Sequence, residues 1–201
     1  AERAVGYLRL SIGDALRGGD RDFLCQCYLD LIRSLDGNNQ SEDATKELIE
    51  GIDVITMGEG LSSPHGPKRL WRLGLKLAKR YMNDGDLERA EATADSTLDA
   101  AQRSGNDHAR GRISALLAQI CEAAGKHGTA LRHRADAVDA LRNLGDRRST
   151  AELLIESARS ATRADGSETQ AVLQLARTLA EEVGWSEGAS AGRTPTPPPS
   201  T

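Results

Sequence analysis

The chain repeats itself. From Leu75 to Leu98 the sequence LKLAKRYMNDGDLERAEATADSTL reads as two short helices joined by a turn at Asp84-Gly85-Asp86. Related segments return with a period of about 40 residues, within the range of helical repeat arrays. Small residues mark it at Ala4, Ala44, Ala90, Ala130 and Ala171, and the longest interval falls between Ala44 and Ala90. A turn glycine recurs at Gly85, at Gly125 and near Gly166. The junctions between pairs also echo one another: Gly19-Asp20-Arg21, Gly105-Asn106-Asp107 and Gly145-Asp146-Arg147. A fixed period constrains the fold more than any single residue does. One helix pair cannot bury both of its faces, so neighbouring pairs must stack into an open array.

Composition agrees with such an array. Aromatic residues make up only 3% of the 201 residues, whereas a single large core normally leans on aromatic side chains for buried area. Ala and Leu dominate instead, and the 20 glycines punctuate helical segments at intervals. Basic and acidic residues, 26 against 30, are interspersed and leave a net charge of −4. That balance argues against a broad nucleic-acid footprint. No apolar run is long enough to span a bilayer, and the opening AERAVGYLRLSIGDALRGG lacks the uninterrupted apolar core of a signal peptide, so no membrane contact is expected. Three cysteines, an odd and sparse count, suit a reducing cytoplasm.

Along the chain, residues 1–18 read as a helix with Ala4, Tyr7, Leu8, Ile12, Ala15 and Leu16 at helical spacing. Gly18-Gly19-Asp20 ends it and supplies a cap for the next helix. Residues 20–36 carry Leu24, Cys27, Tyr28, Leu31, Ile32 and Leu35 on one face. Gly37-Asn38-Asn39 turns the chain, Ser41 is the expected N-cap, and Ala44, Leu48, Ile52 and Ile55 line a further helix to about Met57. Residues 58–67, GEGLSSPHGP, cannot continue a helix and read as an insertion or hinge. Helices then follow in pairs: 68–84 with 86–104, 107–124 with 126–144, and Arg148–Ala164 with Ser167–Val183. A repeat domain is therefore expected over residues 1–183, and a disordered Gly/Ser/Thr/Pro-rich tail over 184–201. The missing initiator Met, and a start in the second half of a helix pair, predict a fragment of a longer protein.

The pattern resembles the tetratricopeptide repeat (TPR). Residues 71–104 match best, with Leu77, Ala78 and Tyr81 at the family's helix A offsets, Gly85 at the turn, and Ala90 and Ala94 on helix B. Residues 111–144 follow with Leu117, Ala118, Cys121, Gly125, Ala130 and Ala137; residues 25–57 follow with Tyr28, Leu31, Ile32, Leu35, Ala44 and Leu48. Residues 151–183 match only after a one-residue shift at the turn. Trp71-Arg72-Leu73-Gly74 looks like the family's Trp-x-x-Leu-Gly start but is one residue short, so Trp71 reads as an anchor over the top of its pair. The period exceeds the usual length of about 34 and is similar to the longer repeats attached to bacterial signalling regulators. The resemblance implies an all-α fold, a right-handed solenoid of about four antiparallel helix pairs.

Enzymatic chemistry finds no support in the sequence. Cys25-Gln26-Cys27 is too tight for a zinc knuckle and no second pair follows. His127 and His133 are six apart and do not share a helix face. Cys121 occupies an apolar repeat position and reads as core. Neither a phosphate-binding Gly-x-x-x-x-Gly-Lys-Ser/Thr loop nor a Gly-x-Ser-x-Gly elbow is present. No catalytic residue, metal or cofactor is expected.

What is left is surface. In the family, helix A residues line a concave groove that receives a peptide or partner helix. Carried onto this register, the groove candidates are Gln26, Arg33, Arg72, Lys76, Lys79, Asn83, Arg112, Gln119 and Arg159, with Arg69 and Arg80 on adjacent faces. This set is more basic than the chain as a whole, which favours an acidic protein or peptide partner, and an ordinary solvated charge pattern is the alternative. The expected function is a non-catalytic protein–protein interaction module of a larger bacterial signalling or scaffold protein. A regulatory or sensor domain controlling an attached kinase, ATPase or DNA-binding domain is the second expectation, and a self-association module the third.

Overall fold

The structure, a computed structural model, describes residues 2–57, 69–145 and 150. These residues form seven helices: α1 (Glu2–Gly18), α2 (Arg21–Gly37), α3 (Ser41–Thr56), α4 (Leu70–Asn83), α5 (Leu87–Arg103), α6 (Asp107–Ala123) and α7 (His127–Asn143). No strand occurs among the described residues. Apart from residue 150, the expected pair Arg148–Ala164 and Ser167–Val183 lies outside them, as do the 58–67 segment and the 184–201 tail.

Short polar turns fold consecutive helices back on one another. Asp20 Oδ1 accepts the Phe23 amide at 2.9 Å, Asp86 Oδ1 that of Arg89 at 3.0 Å, and Asn106 Oδ1 that of Ala109 at 3.0 Å. Each bond satisfies an amide that the first helical turn leaves without a partner. The Asp86 carboxyl is held below the usual carboxylate range, first by this backbone bond and then by the Arg89 side chain. At the opposite ends, Gly85 (φ 80°) and Gly125 (φ 74°) take the left-handed conformation that a Cβ would disfavour. This lets Asp86 N–H reach Tyr81 O at 2.9 Å and Lys126 N–H reach Cys121 O at 2.8 Å, closing the helix ends.

Ser41 departs from expectation. It is the first residue of α3, Gln40 takes the cap position without a side-chain bond, and the Ser41 hydroxyl instead accepts from Arg80 at 2.9 Å. A tertiary donor has claimed the oxygen that the local pattern assigns to the cap.

Helices α2/α3, α4/α5 and α6/α7 form three A/B pairs, preceded by α1, which stands where a B helix would. The pairs interlock through size complementarity at the crossing. A Cβ added to Gly51 would meet the Tyr28 ring at 2.8 Å, and one added to Gly74 would meet Thr97 Cγ2 at 2.9 Å. Tyr28 and Gly74 are separated by the same offset as Ala44 and Ala90, and so are Gly51 and Thr97. The two crossings are therefore one repeat position, with the bulky and small partners exchanged between helices A and B. Around them Leu31, Ile32, Leu48, Leu73, Ala78, Ala90, Ala94, Ile113 and Leu117 are completely buried. Each buried Leu or Ile contributes roughly 1.5–3 kcal/mol to folding.

Part of the α1 expectation fails. Ile12 and Ala15 are buried, but Tyr7 (70% exposed) and Leu16 (49%) point outward and Ala4 is exposed. Helical spacing alone marks both flanks of α1 as apolar, yet only the flank against α2 is covered among the described residues. An ion pair from Arg9 to Glu47, 2.9 Å, ties α1 to α3 as well.

Candidate partner-binding groove

Helix A meets the next helix A, α2 with α4 and α4 with α6, and consecutive B helices make no comparable contact. Units that approach on one layer and splay on the other curve toward the crowded layer. The A helices therefore line the inner face.

On α4, Arg72, Lys76, Lys79 and Asn83 follow spacings of four, three and four and so share one face. Arg72, Lys79 and Asn83 are exposed and Lys76 is half-buried. The helix holds four cations, Arg72, Lys76, Lys79 and Arg80, and no carboxylate. Arg72 also lies over the Trp71 ring, 5.5 Å from its centroid. Trp71 packs against the buried cluster that includes Ala78, Ala90, Ala94 and Leu98 of its own pair and also meets His108 of α6 edge to face at 5.5 Å, so it joins its pair to the next A helix. On α6, exposed Arg112 and half-buried Gln119 are two turns apart on one face. Among the described residues, Arg72, Lys76, Lys79 and Arg112 have no carboxylate within ion-pair distance.

The strip changes character on α2. Asp30, which belongs to no motif, accepts from Gln26 Nε2 at 3.0 Å and from Arg33 Nη1 at 2.8 Å. Gln26 Oε1 also accepts from Arg69 Nη1 at 3.3 Å. Arg33 is thus locally compensated, and the free positive charge gathers on α4 and α6. Arg80 does not add to the strip. Its side chain, 15% exposed, pairs with Asp36 and donates to Ser41 and Thr45. Arg159 lies outside the described residues.

One buried ion pair goes beyond anything expected from the sequence. Arg134 on α7 is 1% exposed and pairs with Glu122 of α6, while its Nη1 has no hydrogen-bond partner. Repeat register was the available signal, since Arg134 stands one repeat after the buried Ala94. Nearby, Lys126 Nζ reaches the Glu91 carboxylate at 2.6 and 2.9 Å, joining the α6–α7 turn to α5.

The cysteines are buried in the stack, Cys25 along with Cys27 and Cys121. Burial, with Asp22 adding to it, pushes the Cys25 thiol up to about 12, and burial first also raises Cys27 and Cys121. Such thiols stay protonated and are poor nucleophiles. Among the described residues no group of three His, Cys, Asp or Glu side chains is arranged to hold a metal ion, and no helix is long and apolar enough to cross a membrane.

Solved structures share this architecture. A proposed kinesin light chain from Podosopora anserina with nearly identical TPR-like repeats superimposes with a TM-score of 0.63 at 17% identity, covering 90% of this chain and 88% of that one. A point variant of the same protein gives 0.64 at 17% identity, with 91% and 88% covered. BtubC (BKLC) from P. vanneervenii gives 0.62 at 14% identity, with 100% and 96% covered. No protein-family model matches the chain, and no curated protein sequence matches it. The chain has the TPR-like helical repeat fold, an all-α solenoid.

Proposed function

We propose that this chain is a non-catalytic protein-interaction module that docks an acidic peptide or helix along the inner face of its A helices. Arg72, Lys76 and Lys79 of α4, with Arg112 of α6, are the anchors; Asn83 and Gln119 supply neutral hydrogen bonds at the rim. The observation that supports this reading is that Arg72, Lys76 and Lys79 share one face of α4, and Arg112 stands at the corresponding place on α6, with no carboxylate within ion-pair distance of any of them among the described residues. Several cations elsewhere, Arg9, Arg80, Arg110, Lys126 and Arg134 among them, are committed to an acid, whereas Arg103 and Arg132 also have no carboxylate partner among the described residues. Long-range attraction would steer an acidic segment to the strip, and contact with it would weaken as salt screens the charges.

The test is calorimetric titration of a Glu/Asp-rich helical peptide into the wild-type chain and into the Lys76→Glu/Lys79→Glu variant. Binding to the wild type, lost by tenfold or more in the variant with its helical circular dichroism and melting intact, is the expected result. Equal affinity for both proteins would remove the groove assignment.

A further inference from the structure

The chain carries an acidic, partly apolar helix face of its own. Helix α3 holds five carboxylates against one lysine, the reverse of α4. Glu42, Lys46, Ile49, Glu50 and Asp53, with Met57 just past the helix end, are all exposed, and their spacing gathers them on one side of α3, three carboxylates against one lysine, which pairs with Asp43 at 3.9 Å. Ile49 is 40% exposed and Met57 71%. Glu42, Glu50 and Asp53 have no cation within ion-pair distance among the described residues. This face belongs to the B layer and so points outward, away from the strip on α4.

We infer that the inner strip of one copy receives the outer face of α3 from a second copy. The inference rests on the groove reading above and names its occupant. Charge complementarity selects that occupant: α4 presents uncompensated cations to a concave surface, and α3 presents uncompensated carboxylates flanking two exposed apolar side chains on a convex one. Apolar contact within a charged rim is what a docking helix offers. The two surfaces lie on opposite sides of the solenoid, so they cannot be exchanged across a two-fold axis. Association is head-to-tail and does not close at two copies.

Sedimentation velocity over a concentration series, in about 20 mM and about 500 mM salt, tests this, because the Debye length falls several-fold between them. The wild type is expected to grow beyond a dimer as concentration rises at low salt and to be monomeric at high salt. The Glu50→Lys/Asp53→Lys variant is expected to stay monomeric yet still bind the acidic peptide, and Lys76→Glu/Lys79→Glu to lose both properties. Mixing the two variants should restore association. A wild type monomeric throughout the low-salt series, or an α3 variant that associates like the wild type, overturns the inference. Peptide binding is read separately, so its loss in the wild type would strike the groove reading itself.

Discussion

Arg80 of α4 pairs with Asp36 in the last turn of α2, 44 residues earlier in the chain. A carboxylate at a helix C-terminus faces the negative end of the helix dipole. Arg80 offsets it, and the same guanidinium donates to the Ser41 carbonyl at 3.2 Å and hydroxyl at 2.9 Å. One side chain therefore clips the α2–α3 turn onto the next repeat. Arg80→Met, which keeps the apolar stem, should lower stability by about 1–2 kcal/mol, since Asp36 remains partly solvated. Lys79→Met, at the adjacent position but facing solvent, should change it by less than about 0.5 kcal/mol. Urea denaturation of the pair measures both, and equal effects would contradict the staple.

The Glu122–Arg134 pair lies where the preceding repeat holds Ala94 opposite helix A. Removing one partner leaves a buried charge without compensation. Glu122→Gln should therefore cost about 3 kcal/mol. Replacing both by Met should restore stability to within about 1 kcal/mol of the wild type, because the desolvation cost of both ions disappears together. A double-mutant cycle by chemical denaturation reads the coupling directly.

Cys25 makes the fold sensitive to alkali. Its thiol ionises near the ordinary 9.0 when unfolded but at about 12 when folded. Between those values the unfolded chain sheds a proton that the folded chain keeps, so stability present below pH 9 is lost as pH rises toward 12. Tyr28, raised from 10.0 to about 12 by burial and by Glu50 and Glu47, acts in the same direction over the upper part of the window. Each such group contributes a slope of up to about 1.4 kcal/mol per pH unit. Stability measured across the mildly to strongly alkaline range should fall more steeply in the wild type than in Cys25→Ala, and parallel curves would exclude the thiol as a source.

Much of the fold could be read from residues because its contacts are local. Ala90, Ala130, Gly85 and Gly125 mark crossings and turns within single repeats, and their period places the helices. The candidate groove was legible for the same reason: Arg72, Lys76, Lys79 and Asn83 share a face by spacing alone. Asp30 was not, because a carboxylate four positions from Gln26 and three from Arg33 looks like any surface acid until the rotamers bring them together. Tyr7 and Leu16 misled because periodicity records which side chains are apolar and says nothing of whether a neighbour covers them.

By itself, the sequence determined the helix period, the turn glycines and the small residues at each crossing, since these follow from backbone sterics and from the packing of adjacent segments. Tertiary structure decided which charges are spent and which are free. Arg80 and Lys79 are consecutive cations on one helix, and only the position of Asp36 and Ser41, brought near by stacking, separates a staple from a surface charge. Electrostatic pairing depends on distances of a few ångströms between side chains a whole repeat apart in the chain, and no local pattern carries that information.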